Sequence, residues 1–181
     1  MKTQKICCAG FGGQGALSMG RMLAYAGMLE GSEVSWCPSY GPEMRGGTAN
    51  CHVIIDDSPI GSPVISKNAT CLIAMNQPSL DKFVDIIADD GVIVINQDIV
   101  EMKTEKAGTT VVSIPANSMA IQEFGGARLA NMILLGAVIK ATEAVKFDSV
   151  EEALAKVFSG PKAKFVPDNK KAFAMGYEFQ G

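Results

Sequence analysis

Short apolar runs alternate along the chain with segments whose apolar residues recur at helical spacing, and this alternation predicts the elements of the fold. The β-branched and apolar runs predict strands at residues 5–9, 33–37, 48–56, 71–75, 92–95 and 109–114. Helical spacing and capping residues predict helices at about 16–29, 78–88, 115–124, 128–145, 150–158 and 169–178. Strands that alternate with helices predict a three-layer α/β/α fold with a largely parallel, possibly mixed, sheet and a Rossmann-like first βα unit.

Two of the segments between these elements predict a turn and a linker. The sequence Asp89-Asp90-Gly91 predicts a turn before the strand at 92–95, and residues 161–167, with Pro at both ends, predict an extended linker.

The helix at 128–145 is apolar almost all round. Such a helix is either the core of an isolated domain or part of an interface with another subunit. No boundary or repeat divides the chain, so residues 1–181 are expected to form a single domain.

Charge and hydrophobicity narrow the classes of partner. Charged residues make up only 19% of the chain, against about 25% in an average soluble protein. Either another subunit covers part of this surface or the domain exposes unusually much apolar area. The net charge of −3 disfavours nucleic acid as a partner. The longest apolar run, residues 132–139, is far shorter than the roughly 20 residues of a membrane-spanning helix, so no membrane partner is expected.

The cysteines indicate the compartment. The chain has five of them, without a CxxC pair, and most lie in runs that predict buried strands. Reduced core thiols are typical of a cytoplasmic protein, and dispersed cysteines disfavour an iron–sulfur cluster on this chain alone. The only histidine, His52, cannot build a multi-histidine zinc site and is expected to be an ordinary half-buried strand residue. We therefore assign no metal ligand and no catalytic residue.

A glycine-rich loop between the first strand and the first helix is a candidate phosphate site. Gly10, Gly12 and Gly15 follow the strand with the spacing of a pyrophosphate-binding loop. Backbone amides of Gly12, Gly13 and Gly15 and the carboxamide of Gln14 could meet a phosphate at the helix N-terminus or a neighbouring loop. A nicotinamide dinucleotide is disfavoured because no acidic residue ends the second strand. The alternative is a tight turn that binds nothing.

A second loop, after the second predicted strand, concentrates polar chemistry. Its candidate binding residues are Tyr40, Glu43, Arg45, Gly46 and Gly47. Ligands of open α/β sheets bind at the carboxyl ends of the strands, so this loop is expected to lie beside the glycine loop. Arg45 offers a planar guanidinium to a phosphate or carboxylate. The alternative is a Glu43–Arg45 ion pair that only rigidifies the turn.

Three amide side chains follow strands or begin helices near the same edge. Asn76 and Gln77 come directly after a buried strand, and Asn117 lies at the start of a predicted helix. They could contact a ligand in the cleft, but N-capping of the following helix is the favoured interpretation.

Several longer motifs together resemble one family. They are GFGGQG at 10–15, PSYGPEMRGGTANC at 38–51, AMNQPSLDKF at 74–83, PANSMA at 115–120, RLANMILLGA at 128–137 and NKKAFAMGYE at 169–178. The chain resembles the gamma subunit of 2-oxoacid:ferredoxin (acceptor) oxidoreductases over essentially its whole length. The 2-oxoglutarate and branched-chain 2-oxoacid types are the most similar, and the pyruvate and indolepyruvate types remain alternatives.

The resemblance implies a reaction and an assembly. A 2-oxoacid, coenzyme A and oxidised ferredoxin would give acyl-CoA, CO2 and reduced ferredoxin. Thiamine diphosphate, magnesium and 4Fe-4S clusters are expected on alpha, beta and possibly delta subunits, with coenzyme A as a substrate and ferredoxin as the acceptor. This chain would complete the complex and the coenzyme A side of its site, without activity alone. The alternatives are a stand-alone nucleotide-binding oxidoreductase and a purely structural assembly subunit.

Overall fold

The computed structural model describes residues 3–39, 48–101 and 106–180. In this part of the chain, six strands form one sheet in the order β2-β3-β1-β4-β5-β6. Strand β3 is antiparallel to both β1 and β2, whereas β1, β4, β5 and β6 pair in parallel. The sheet is therefore mixed. The strands are β1 Gln4–Phe11, β2 Glu33–Ser39, β3 Thr48–Asp56, β4 Ala69–Ala74, β5 Ile87–Asn96 and β6 Thr110–Ile114.

Helices cover both faces of the sheet, which confirms the predicted α/β fold class. Helices α1 and α4 pack against one face, and α5 and α6 pack on α1 and α4. Helix α2 covers the other face through Leu80 and Phe83. The helices are α1 Ala16–Leu29, α2 Gln77–Phe83, α3 Ala116–Phe124, α4 Ala130–Thr142, α5 Phe147–Val157 and α6 Val166–Glu178. None of the helices in the described residues combines the length and the apolar character that crossing a bilayer requires.

The topology brings several strand ends to one edge of the sheet. Residues Ile6, Cys7, Cys8 and Ala9 of β1 are fully buried, as expected for a central strand that is covered on both faces. The parallel strands β1, β4 and β5 all end at the same edge, and β3 begins there because it runs in the opposite direction. We call this edge the carboxyl edge.

The predicted turn at Asp89-Asp90-Gly91 is wrong. These residues lie inside β5, which begins at Ile87, and α2 ends at Phe83 rather than at residue 88. Ile87 is buried and pairs with Ala69, so its burial extends the strand backwards through the acidic residues. The register shifts between Ala69 and Cys71, an irregularity that interrupts the pairing without ending the strand.

The predicted linker at 161–167 is also wrong. A short 3-10 helix covers Gly160–Phe165, and α6 follows directly at Val166. Both segments carry a proline in their first turn, where the missing N–H has no intrahelical partner to lose. Proline here starts helices rather than preventing them.

Helix α4 is a core helix of this domain. Every residue from Ala130 to Ile139 is buried within the chain, because α4 lies between the sheet and α6. The two helices approach at backbone distance, since a Cβ on Gly176 would lie 1.8 Å from the carbonyl oxygen of Ile133. The apolar surface of α4 is thus covered by the chain itself and gives no argument for a subunit interface.

Candidate functional site

The glycine loop lies at the carboxyl edge, between β1 and α1. Gly13 and Gly15 adopt φ values of 94° and 92°, a left-handed conformation that glycine adopts without steric cost. The Gln14 N–H donates to the carbonyl oxygen of Phe11 at 3.1 Å, which closes the turn. Helix α1 then begins at Ala16 without a side-chain cap. The partial positive charge of its first turn therefore lies at the carboxyl edge.

The side chain of Gln14 is turned inward. Its Oε1 accepts hydrogen bonds from the Phe11 N–H at 2.6 Å and from Asn76 Nδ2 at 2.9 Å. Its Nε2 donates to the carbonyl oxygen of Met75 at 3.2 Å. Of the two roles predicted for this carboxamide, the structure shows contact with a neighbouring loop. Gln14 thereby joins the glycine loop to the loop that follows β4.

Asn76 and Gln77, the two amide residues that follow β4, form hydrogen bonds within the chain. Asn76 caps α2, because its Oδ1 accepts from the Ser79 N–H at 2.9 Å. Gln77 donates to Asp81 Oδ1 at 2.8 Å and accepts from the Glu101 N–H at 2.9 Å. The capping role of Asn76 is confirmed. The capping role predicted for Gln77 is wrong, because its side chain holds the chain after β5 against α2.

Asn117 does not cap its helix. Its Oδ1 accepts from Asn96 Nδ2 at 2.9 Å, which connects the end of β5 to the start of α3. Asp98 takes the capping role instead, because its two carboxylate oxygens accept from the N–H and the hydroxyl of Ser118, both at 2.8 Å. The capping interpretation of Asn117 is therefore wrong.

The second predicted loop falls outside the described residues. Its candidate binding residues are Tyr40, Glu43, Arg45, Gly46 and Gly47. The residues that flank it are described. Ser39 at the end of β2 pairs with Asn50, and Thr48 at the start of β3 pairs with Phe11. The chain thus leaves and re-enters the sheet at the carboxyl edge, next to the strand that leads into the glycine loop.

A cavity of about 320 Å3 opens at this edge, and we call it the polar cleft. Its wall is formed by Gly13, Gln14, Met75, Asn96, Asn117 and Arg128. Arg128 is exposed and has no ion-pair partner among the described residues. An unpaired guanidinium beside an uncapped helix N-terminus and several amides favours the binding of an anionic group.

Asn96 and Arg128 are not among the residues that the sequence singled out. Asn96 directly follows the predicted strand at 92–95, the same position that drew attention to Asn76 after β4. Arg128 is the first residue of the apolar helix predicted at 128–145, and a charged residue so soon after Gly125 and Gly126 could have drawn attention to it.

His52 and most of the cysteines lie away from the carboxyl edge. His52 is half-buried inside β3, where it pairs with Cys7 of β1 and Cys37 of β2. Its Nδ1 accepts a hydrogen bond from the Ile65 N–H at 3.0 Å, and burial lowers the pKa of its imidazole. Burial also raises the pKa of the Cys71 thiol to about 12. The described residues contain no group of three His, Cys, Asp or Glu side chains able to hold a metal ion.

Comparison with known proteins gives the family. Residues 5–179 match the family described as Pyruvate ferredoxin/flavodoxin oxidoreductase. The chain is 39% identical over 176 residues to the ketoisovalerate oxidoreductase subunit VorA of Methanothermobacter thermautotrophicus, covering 97% of this chain but only 36% of VorA. It is 35% identical over 178 residues to the 2-oxoglutarate synthase subunit KorC of Methanocaldococcus jannaschii, covering 97% of this chain and 92% of KorC.

A solved structure extends this similarity to the fold. The gamma subunit of a keto/oxoacid ferredoxin oxidoreductase from Geobacter sulfurreducens superposes with a TM-score of 0.81 at 31% identity, covering 97% of this chain and 96% of that subunit. The chain therefore belongs to the pyruvate ferredoxin/flavodoxin oxidoreductase family.

Proposed function

We propose that this chain is the gamma subunit of a multi-subunit, cytoplasmic 2-oxoacid:ferredoxin oxidoreductase. In the reaction, a 2-oxoacid loses CO2, its acyl group forms a thioester with the sulfur of coenzyme A, and two electrons pass to oxidised ferredoxin while the thiol proton is released. The similarity to KorC and to the Geobacter gamma subunit over nearly their whole lengths supports this proposal. Alpha, beta and possibly delta subunits would be its partners.

The partners would carry the redox and carbanion chemistry. Thiamine diphosphate, when bound with magnesium by a partner, supplies the carbanion chemistry at the keto carbon, and 4Fe-4S clusters carry electrons to ferredoxin. Among the described residues, the carboxyl edge offers backbone amides, carboxamides and the guanidinium of Arg128, and the carboxylate of Asp98 is engaged with Ser118. Such groups bind and orient a substrate, and they do not supply a nucleophile with its base. The isolated chain is therefore proposed to be inactive.

We assign to this chain the coenzyme A side of the site. The observation that carries the assignment is the meeting of the glycine loop, the uncapped N-terminus of α1 and the unpaired Arg128 around one cleft. The backbone N–H groups of Gly12, Gly13 and Gly15 would face the phosphates of coenzyme A, and Gln14, whose own N–H closes the turn, would hold the loop in place.

The second loop would complete that side of the site. The described ends of its flanking strands, Ser39 and Thr48, lie at the carboxyl edge, which supports a binding role for Tyr40, Glu43, Arg45, Gly46 and Gly47. Arg45 would then add a second guanidinium for the anionic substrate, and the glycines would allow its backbone to approach. In the alternative structural role, these residues pack against partner subunits and bind no substrate.

Purification of the native complex tests the proposal. A tag on this chain should recover subunits that hold thiamine diphosphate and iron–sulfur clusters, and the complex should reduce ferredoxin only when a 2-oxoacid and coenzyme A are both present. Comparing 2-oxoglutarate, 2-oxoisovalerate, pyruvate and indolepyruvate would identify the substrate. Recovery of the chain alone, with tight NAD binding in calorimetry, would instead support a stand-alone nucleotide-dependent enzyme.

A variant of the cleft separates substrate binding from a structural role. Arg128→Gln in the assembled complex should raise the KM for coenzyme A by about tenfold with little change in kcat, because the lost interaction holds the bound substrate. The matched control is Arg21→Gln, since the Arg21 guanidinium lies over the ring of Tyr25 on α1 and does not line the cleft. An unchanged KM in the Arg128 variant would support the purely structural alternative.

A further inference from the structure

Two cysteines stand directly opposite each other in the middle of the sheet. Cys8 of β1 pairs with Cys51 of β3 in antiparallel register. Both side chains are fully buried in the core on the face of the sheet that α1 covers. Cys7, the neighbour of Cys8, belongs to the core on the opposite face. The proposed function uses none of these thiols.

The spacing of the two strands suits a bond between Cys8 and Cys51. Residues directly opposite each other in an antiparallel pair have Cα atoms about 4.5 or 5.5 Å apart. A disulfide joins residues whose Cα atoms are about 4.4–6.8 Å apart, so it fits either kind of pair. The two thiols already form a hydrogen bond with each other. Both are free in the structure, which therefore shows the pair in its reduced form.

The surroundings of Cys51 favour its thiolate. Its sulfur accepts hydrogen bonds from the Cys8 S–H, the Trp36 Nε1–H and the Gly20 N–H. These donors hold the pKa of Cys51 below its usual value, although burial acts in the opposite direction. The hydrogen bond between the thiols, together with burial, raises the pKa of Cys8. Cys51 is therefore the nucleophile of the pair, and Cys8 is the thiol that keeps its proton.

Trp36 lies between the Cys51 sulfur and solvent. In the sheet of the described residues, β2 is an edge strand, and its Pro38 stands opposite Cys51. Trp36, two residues before Pro38, is 37% exposed and also bonds to the Cys51 sulfur. Rotation of this one side chain would open a path to the sulfur for an oxidant not much larger than water.

We propose that Cys8 and Cys51 form a reversible disulfide when the protein meets hydrogen peroxide. The Cys51 thiolate attacks one peroxide oxygen, the O–O bond breaks and hydroxide leaves, so Cys51 is oxidised to a sulfenic acid and the peroxide is reduced. The Cys8 sulfur then attacks the sulfenic sulfur. The S–S bond forms, the S–O bond breaks, and the leaving hydroxide takes the Cys8 proton as water.

The first hydroxide takes up the proton that Cys51 released, so two thiols and one peroxide give one disulfide and two molecules of water. A dithiol reverses the change by thiol–disulfide exchange, in which its own thiols are oxidised. Disulfides that do occur in cytosolic proteins are usually transient in this way.

Peptide mass spectrometry on the native full chain tests the disulfide. The protein is treated with equimolar hydrogen peroxide, its remaining thiols are alkylated, and it is digested with trypsin without reduction. Trypsin leaves Cys8 in peptide 6–21 and Cys51, as the only cysteine, in peptide 46–67. The two peptides should be joined in the oxidised protein, and dithiothreitol should separate them.

Two variants identify the partner of Cys51. Cys7→Ala is the matched control for Cys8→Ala, because Cys7 is equally buried and shares peptide 6–21 but faces the other side of the sheet. The joined peptides should persist in Cys7→Ala and disappear in Cys8→Ala. Circular dichroism establishes that both variants are folded.

The fluorescence of Trp36 gives a readout that needs no variant. Trp36 is the only tryptophan of the chain and bonds to the Cys51 sulfur. Its emission should change at the rate at which the peptides become joined, and dithiothreitol should restore it.

Three results would overturn the proposal. They are oxidised wild-type protein without the joined peptides, joined peptides that form only in denaturant, and a link that Cys7→Ala removes but Cys8→Ala does not. None of these measurements uses a 2-oxoacid or coenzyme A, so failure of the proposed function would leave them unchanged.

Discussion

Asn76 donates a hydrogen bond of 2.9 Å from its Nδ2 to Oε1 of Gln14, and this contact joins two loops of the carboxyl edge. Asn76 at the same time caps α2, and Gln14 at the same time binds the backbone of Phe11 and Met75. The shape of the polar cleft therefore depends on two carboxamides that face into the protein.

Removing the Gln14 carboxamide should lower stability. Gln14→Ala leaves the Phe11 N–H, the Asn76 amide and the Met75 carbonyl without this partner, so the free energy of unfolding should fall by about 1–3 kcal/mol. Urea denaturation followed by circular dichroism measures the change. Gln97→Ala, at an exposed residue, is the control and should change stability by less than about 0.5 kcal/mol. Equal effects of the two substitutions would show that the inward bonds contribute nothing.

Gly15 and Gly13 should differ in their tolerance of a side chain. Both have positive φ, but a Cβ on Gly15 would lie 2.4 Å from Asn131 Nδ2, whereas one on Gly13 would meet nothing within 4 Å. Gly13→Ala should therefore cost about 1 kcal/mol of backbone strain, and Gly15→Ala should cost about 1–3 kcal/mol more because of the steric overlap.

Thermal unfolding of the two variants gives this difference directly. The double variant Gly15→Ala/Asn131→Ala should recover most of the excess cost, since it removes the overlapping carboxamide. If Gly13→Ala is as destabilising as Gly15→Ala, the close contact between Gly15 and Asn131 is not the cause.

The sequence was sufficient to predict the six strands of the described residues and their order along the chain. Strand β3 has the predicted bounds, because its apolar run begins after glycines and ends at an acidic turn. The errors at residues 89–91 and 161–167 share a cause. In both places a local signal for a turn or an extended segment was outweighed. At 89–91 the burial of Ile87 outweighed the acidic residues. At 161–167 the prolines lie in the first turns of helices, where proline is favourable.

The site was less predictable than the fold. The glycine loop was recognised because its spacing is local, but the direction of the Gln14 carboxamide depends on Asn76, which is 62 residues away. Arg128 acquires its meaning only when the fold brings it to the same cleft as Gly13 and Asn96. No local pattern encodes such a meeting of distant segments.

A methyl group between α4 and α6 should be strongly destabilising. A Cβ on Gly176 would lie 1.8 Å from the carbonyl oxygen of Ile133, and backbone cannot move as a flexible side chain can. Gly176→Ala should therefore cost 3 kcal/mol or more, at the upper end of the roughly 1–3 kcal/mol typical of overpacking. Urea denaturation checks the value. The control is Gly61→Ala, which meets nothing within 4 Å and should leave stability unchanged or slightly higher.

The buried thiol of Cys71 should make stability fall at alkaline pH. Burial raises the pKa of Cys71 from 9.0 to about 12. Between these values the unfolded chain releases the thiol proton and the folded chain keeps it, so rising pH lowers the free energy of the unfolded state relative to that of the folded state. The contribution of Cys71 is fully present below pH 9 and is lost between pH 9 and about 12, at up to about 1.4 kcal/mol per pH unit.

Urea denaturation at a series of pH values isolates this contribution. Cys71→Ala should lower stability at neutral pH through the lost core packing, but its stability should then fall less steeply above pH 9 than that of the wild type. Ile73→Val changes the same buried strand without a titratable group, so it should lower stability by a similar amount at every pH. Parallel pH curves for the wild type and Cys71→Ala would show that the thiol ionises as readily in the folded protein as in the unfolded chain.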